Sequence, residues 1–316
     1  MFKYFLRRLL MLIPTIIGMS ILIFVMMRLL PGDIVDALVG LDATITDEAK
    51  DQLRDSFGLN DPWPVQYAKW MGELVQGDLG TSFRSREPIS TQLWRALPIT
   101  LELAVLAIVM SIVVAIPLGI VSAVRQNSAI DFWARITGLI GLSIPSFWLA
   151  TLFLLFTSLV FRWTPSVNWI NPLENPLGNL GQMALPALAL AVQLMAVEMR
   201  MMRASMLEVL RQDYIRTARA KGMRERSLLV SHALKNAFIP VMTIIGIQVG
   251  ALMGGSIIIE QIFGLPGIGW TLLQGIFNRD YPVVQVTALF LAVIFVFINL
   301  FVDITYAYLD PRIRYA

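Results

Sequence analysis

The chain has 316 residues, 57% hydrophobic and 15% charged, with a formal net charge of +3 and a mean hydropathy of +0.69. These values lie outside the soluble globular range, so an aqueous enzyme or binding module is excluded. The sequence has no cysteine and one histidine, His232, which excludes disulfides and thiolate metal sites and argues against imidazole catalysis or an all-protein transition-metal site.

The chain opens MFKYFLRRLLMLIP, a basic leader like that of a secretory signal. The apolar block behind it, Leu9–Met27, is longer than a signal core and no small-residue cleavage site follows, so it reads as a retained first helix. Five further uncharged blocks follow: Leu103–Val124, Ile136–Phe161, Asn175–Val197, Asn236–Ile259 and Tyr281–Val302. Each is close to the ~20 residues a helix needs to cross a bilayer. Six spanning helices are therefore expected, because a helix pairs its own backbone groups where no water can, whereas barrel strands would be shorter and alternating.

Between the first two blocks lies Pro31–Leu97, with eleven acidic and six basic residues. Within it Asp47–Phe57 has helical character and Gln66–Val75 reads as an amphipathic helix near Trp63 and Trp70. This is expected to be a small folded cap; a headgroup-level amphipathic segment with aromatic anchors is the alternative. Pro117 and Pro145 interrupt the second and third blocks, and each can kink its helix. Polar side chains within the blocks are few. Glu102 and Glu260 stand near block ends, Gln193 and Gln248 lie deeper, and Asn299 and Asp303 fall towards the inner end of the sixth helix. Such groups face protein or a water-filled cavity, so Gln193, Gln248, Glu102 and Glu260 are the candidates for a translocation path. Interhelical hydrogen bonds serving only stability are the competing account.

Residues 200–235 carry nine Lys/Arg against three acids. Alternating Ala and Arg end at Gly222, which predicts a short helix closed by a turn. Further on, Gly246, Gly250 and Gly254 recur every four residues and form one small-residue face that a second helix could approach closely. Gly264-Leu265-Pro266-Gly267 is a turn signal.

The basic residues fix an expected orientation. With the N-terminus inside, cytosolic segments hold Lys3, Arg7, Arg8, Arg125, Arg135, the nine of residues 200–235, Arg312 and Arg314, sixteen of the 25 in the chain. The short outer loops hold Arg162 and Arg279. Both termini are thus expected in the cytosol. The organisation expected is residues 1–30 as N-terminus and first helix, 31–97 as an extracytoplasmic segment, and 98–316 as a five-helix core containing the basic segment.

The order Asp213-Tyr214, Thr217-Ala218-Arg219-Ala220-Lys221-Gly222, then HALKNAFIP, closely resembles the coupling region of the peptide/nickel branch of ABC importer permeases. Arg216 and Thr217 stand where the general importer pattern has Glu-Ala. Ala218 and Gly222 are kept, and the proline comes only at Pro240. Loss of the Glu removes any salt bridge assigned to it. RRLLMLIPT, DPWPVQY, GDLGTSFRS, LPITLELA, SIPSFW, GGSIIIEQIFGLPGIG and DYPVVQ extend the resemblance along nearly the whole chain.

The resemblance implies an all-α integral membrane fold of the type I ABC importer permease kind, in the bacterial inner membrane. Asp213, Tyr214, Thr217, Ala218, Arg219, Ala220 and Gly222 would couple to an ATPase. It further implies a second permease, two cytosolic ATPases and an extracytoplasmic substrate-binding protein. No G-x-x-x-x-G-K-[ST] occurs in the chain, so no cofactor is expected here, and ATP and Mg belong to the ATPases. A secondary carrier using Glu102, Glu260 or Asp303 as proton sites is the rival reading, although carriers usually show more buried acids or unwound helices at mid-membrane.

Overall fold

A computed structural model describes residues 2–29, 35, 46–56 and 58–309. The opening of the expected cap (31–34 and 36–45), Phe57, the C-terminal basic pair Arg312 and Arg314, and the side chains of Lys3, Arg7 and Asp303 lie outside the described residues. Among the described residues every regular element is helical: α1 (Phe2–Leu29), α2 (Asp47–Ser56), α3 (Trp63–Val75), α4 (Ile89–Val124), α5 (Ala129–Ser143), α6 (Ser146–Phe161), α7 (Pro176–Leu210), α8 (Asp213–Ala220), α9 (Glu225–Leu228), a π-helical turn (Leu229–Ala233), α10 (Leu234–Phe263), α11 (Ile268–Phe277) and α12 (Tyr281–Leu309).

Five helical stretches are long and apolar enough to cross a membrane: Arg8–Leu29, Ile89–Val124, Pro176–Leu210, Glu225–Gly254 and Tyr281–Val302. The remaining predicted block, Ile136–Phe161, is not one rod. It is the second half of α5 followed by α6, and the two helices bend by 100°. Pro145 causes the break. It lacks an N–H, forces Ile144 into an extended conformation (φ −97°, ψ 121°), and itself precedes the first residue of α6. Pro117, by contrast, lies inside the unbroken α4.

Contacts divide the described chain into two units. The first described here comprises residues up to Ile99 together with 266–297. In it α1 meets α3 through Phe24, which lies edge-on to Tyr67 and stacked on Trp70. The Ser20 hydroxyl hydrogen-bonds the Tyr67 hydroxyl at 2.8 Å. Arg28, at the end of α1, is held over the Phe24 ring at 3.6 Å and donates to Gln66 Oε1 (2.9 Å) and Gln285 Oε1 (3.3 Å). A cation near the end of a spanning helix is thus satisfied by protein rather than bulk water. Ile89, Leu93 and Ala96 at the start of α4 form an apolar cluster with Ile268, Val283 and Val286.

Asp280 anchors the 80–88 turn in this unit. Its buried carboxylate accepts from the Ser82 hydroxyl and from the Phe83 (3.3 Å) and Arg84 (3.2 Å) backbone N–H groups. Replacing Asp280 with Ala strands these donors, at a cost of about 1–3 kcal/mol. Hydrogen–deuterium exchange should speed up at Phe83 and Arg84 while α6 is unaffected; unchanged exchange there would show that the carboxylate does not hold the turn.

The second unit comprises residues 100–265 and 298 onward. Its axis is α7, which packs against α10, α5 and α6. Asn175 caps α7 by accepting from Gly178 N–H, with Pro176 at its first position. The helix then runs on to Leu210, thirteen residues beyond the end of the predicted block at Val197. The basic segment 200–235 is accordingly the end of α7, α8, α9, the π-turn and the first residues of α10. Close approach fixes α4 on α7: a Cβ on Gly119 would lie 2.7 Å from Met202 Cβ and 2.8 Å from the Met199 carbonyl. A methyl group there requires the helices to part.

Candidate functional site

The last turns of α7, α8, and the start of α10 share one apolar cluster. Ile215 is fully buried among Met202, Met206, Leu228, Ala233, Ala237 and Val241. Ile215 is the inward anchor of an eight-residue helix otherwise rich in exposed polar groups. A free helix this short is marginal in water, so tertiary packing has to hold it.

The end of α8 is a Schellman turn. Met223 N–H donates to Ala218 O (3.3 Å) and Gly222 N–H to Arg219 O (3.0 Å), with Gly222 at φ +78°. Nothing lies within 4 Å of a Cβ built on Gly222, so the backbone conformation, not space, requires glycine. Past the turn, Arg219 makes a forked pair with Glu225, Nη2–Oε1 2.6 Å and Nε–Oε2 3.2 Å. Hydrogen bonding to that carboxylate raises the Arg219 pKa above its ordinary value, so the guanidinium stays charged. Tyr214 Oη accepts from Asn236 Nδ2 at 2.9 Å, joining α8 to α10. The result is a short, rigidly seated helix whose open face carries Asp213, Tyr214, Arg216, Thr217, Arg219 and Ala220. Ala218 instead turns half inward against the apolar cluster.

The four path candidates each have an identifiable neighbour. Glu102 Oε2 accepts from Trp169 Nε1 (3.0 Å), and the fully buried Glu260 accepts from the Thr100 hydroxyl (2.8 Å). Gln193 Nε2 donates to Ile144 O (3.0 Å), closing the break between α5 and α6. Gln248 Nε2 reaches Leu194 O at 3.5 Å, and its buried Oε1 has no partner among the described residues. Gln193 and Gln248 therefore sit near one seam between α7 and α10, while Glu260 is held by Thr100 and Glu102 by Trp169. None of the four lines the cavity of about 200 Å³ between α4, α5 and α7, whose walls include Val114, Leu118, Gly138, Met195 and Met199. Of the glycine face, Gly246 and Gly250 are buried, while Gly254 is exposed with nothing within 4 Å of a built Cβ.

Glu198 and Asp131 are among the buried polar groups that escaped sequence reasoning. Glu198 follows directly on the predicted fourth block. It is 1% exposed and its Oε1 accepts from the Ser111 hydroxyl at 3.0 Å, with Oε2 unpartnered among the described residues. Asp131, which falls between the second and third apolar blocks, is fully buried and forked by Arg203. Helical spacing gave one clue: Glu198, Met202 and Ser205 fall on the face of α7 that also buries Met206.

Residues 115–315 match the family model described as the binding-protein-dependent transport system inner membrane component, and residues 1–104 match its N-terminal companion. The chain is 42% identical to the dipeptide transport system permease protein of Alkalihalophilus pseudofirmus, covering 100% of both chains. It is also 42% identical to the oligopeptide transport system permease protein of Bacillus subtilis, again over 100% of both. A putative peptide transport system permease protein of Brucella abortus is 44% identical over 98% of each chain. Among solved structures, an inward-facing MetNI methionine ABC transporter aligns with TM-score 0.55 at 17% identity, covering 69% of this chain and 96% of that one. This last likeness concerns the fold.

Proposed function

The chain belongs to the binding-protein-dependent transport system inner membrane components, and from that premise we propose that it is the permease subunit of an ATP-driven importer of peptides or related small solutes. It is a multi-pass membrane protein and a transport subunit, not an enzyme. Its partners are a second permease, two cytosolic ATPases that bind ATP and Mg, and an extracytoplasmic binding protein that delivers cargo. Full-length relatives named for dipeptide and oligopeptide transport support the cargo class.

The observation that carries the mechanism is α8. Its inner face is seated by Ile215, its end is closed by Gly222, and its outer face is exposed and mostly polar. Such a helix suits docking by an ATPase, with Asp213, Tyr214, Thr217, Arg219 and Ala220 at the contact, and Gly222 and Ala218 setting its shape. Closure of the ATPase dimer displaces α8, and the permease exchanges inward-open for outward-open states. ATP can shift that balance only because the ATPase binds the two states differently.

An ion-coupled carrier draws little support from the same geometry. Glu102 and Glu260 accept hydrogen bonds from Trp169 and Thr100 within the helix packing. The deciding experiment is vesicle uptake with and without the ATPases. Transport that needs ATPases, ATP and loaded binding protein is expected; uptake by the chain alone, driven by a proton gradient, would establish the carrier instead.

The orientation follows from the charge bias, with residues 31–97 outside and both termini inside. The cysteine-free sequence suits labelling. A cysteine replacing Asp51, which is exposed on α2, should react with an impermeant maleimide added to intact spheroplasts and stay unmodified in sealed inverted vesicles. The reverse pattern would invert the topology.

A further inference from the structure

Asp131 lies in the first turn of α5 and is fully buried. Its carboxylate takes a forked pair from Arg203 on α7, Nε–Oδ1 2.6 Å and Nη2–Oδ2 2.9 Å. The Ser122 hydroxyl at the end of α4 donates to Oδ1 at 2.6 Å, and the Asn127 backbone N–H of the α4–α5 turn donates to Oδ2 at 3.0 Å. Arg135 stands 3.7 Å away. One carboxylate thus joins the ends of three helices.

Arg203 lies ten residues before Asp213, and only Arg211 and Gln212 separate α7 from α8. Further along the same face α7 is pressed against α5, where a Cβ on Gly141 would lie 3.3 Å from the Val192 carbonyl and from Ala196 Cβ. Displacement of α8 therefore loads α7, and α7 cannot turn or slide along α5 without breaking the fork. A buried ion pair adds little net stability over well-packed apolar residues. What two parallel charge-assisted bonds add is directional geometry, fixing both distance and rotation.

We propose that Asp131 and Arg203 form a positioning pair that transmits displacement of α8 through α7 into the bent pair α5–α6. The proposal rests on the reading of α8 as the ATPase-docking helix.

The test uses the full complex of both permeases and both ATPases in lipid nanodiscs, with loaded binding protein. Two variants are compared with the parent: Asp131→Asn, and the apolar double variant Asp131→Leu with Arg203→Met. Complex yield, melting temperature, basal ATP turnover and its stimulation by loaded binding protein are measured together. Both variants are expected to assemble and keep basal turnover, with stimulation reduced roughly tenfold, within the range that coupling residues command. A purely structural pair predicts a different result: the apolar double variant would recover stimulation along with assembly, and this outcome overturns the proposal. Failure of both variants to assemble would mark the pair as a folding element and overturn it equally. A parent complex that loaded binding protein does not stimulate would reject the docking role of α8 itself, and the proposal with it.

Discussion

Gly222→Val should abolish substrate uptake while leaving the spanning helices inserted. The residue sits at φ +78°, in the turn that returns Met223 N–H to Ala218 O. A side chain in this region costs about 1–2 kcal/mol, and a β-branched one fits it worst. No atom obstructs the site, so the penalty is purely conformational and should be graded. Asn, which tolerates the left-handed region, should retain most uptake; Ala should be intermediate and Val lowest. This order distinguishes a shape-determining turn from a site of side-chain contact, where Asn would be as damaging as Val.

A second variant tests the outer face. Ala218→Glu is ambiguous, because Ala218 turns half inward and the new charge would disturb α8's own seat. Ala220 is exposed, so Ala220→Glu leaves the fold intact while placing a bulky charge on the docking surface. Uptake and binding-protein-stimulated ATP hydrolysis in the purified complex are the measurements. Both should fall by roughly tenfold or more, the scale set by an unpaired charge at a buried contact. Near-normal values for Gly222→Val and Ala220→Glu together would remove α8 from the mechanism.

What the sequence made legible was local. Gly222 marks the end of α8 because a turn needing positive φ selects glycine within a few residues of the helix it closes. Pro145 marks the break between α5 and α6 for an equally local reason, although nothing local sets the 100° angle. The six apolar blocks are legible because a bilayer imposes length and hydropathy on contiguous residues. Their ends are less so. A charge-free window stops at Val197, yet α7 continues because Glu198 and Arg203 find partners on other helices.

Those partners are the part that one-dimensional reading misses. Asp131 and Arg203 are 72 residues apart and Ser82 and Asp280 are 198 apart; each looks like an ordinary loop charge or hydroxyl until the helices are assembled. The same limit applies to the path candidates. Composition singles out Gln193 as polar in an apolar block, but only the bend at Pro145 exposes the Ile144 carbonyl that it caps.

The glycine face yields the second large effect, and the structure separates its members. A Cβ on Gly246 would collide with Val302 Cγ1 and lie 3.4 Å from Val302 Cβ. Val302 is β-branched on a helix, so its χ1 is nearly fixed and it cannot swing clear cheaply. A single methyl in Gly246→Ala should therefore force α10 and the end of α12 apart, costing about 1–3 kcal/mol as overpacking does. The melting temperature and assembled yield of the complex should drop, and uptake with them. Val302→Ala removes the colliding methyl groups, so the double variant Gly246→Ala with Val302→Ala should recover most of the loss. Gly254→Ala is the internal control: among the described residues, no atom outside its own stretch of helix lies within 4 Å of the new methyl, and it removes a flexible residue from a helix. Melting unchanged by Gly246→Ala, or a loss that Val302→Ala does not relieve, would show that these two helices are not held by that contact.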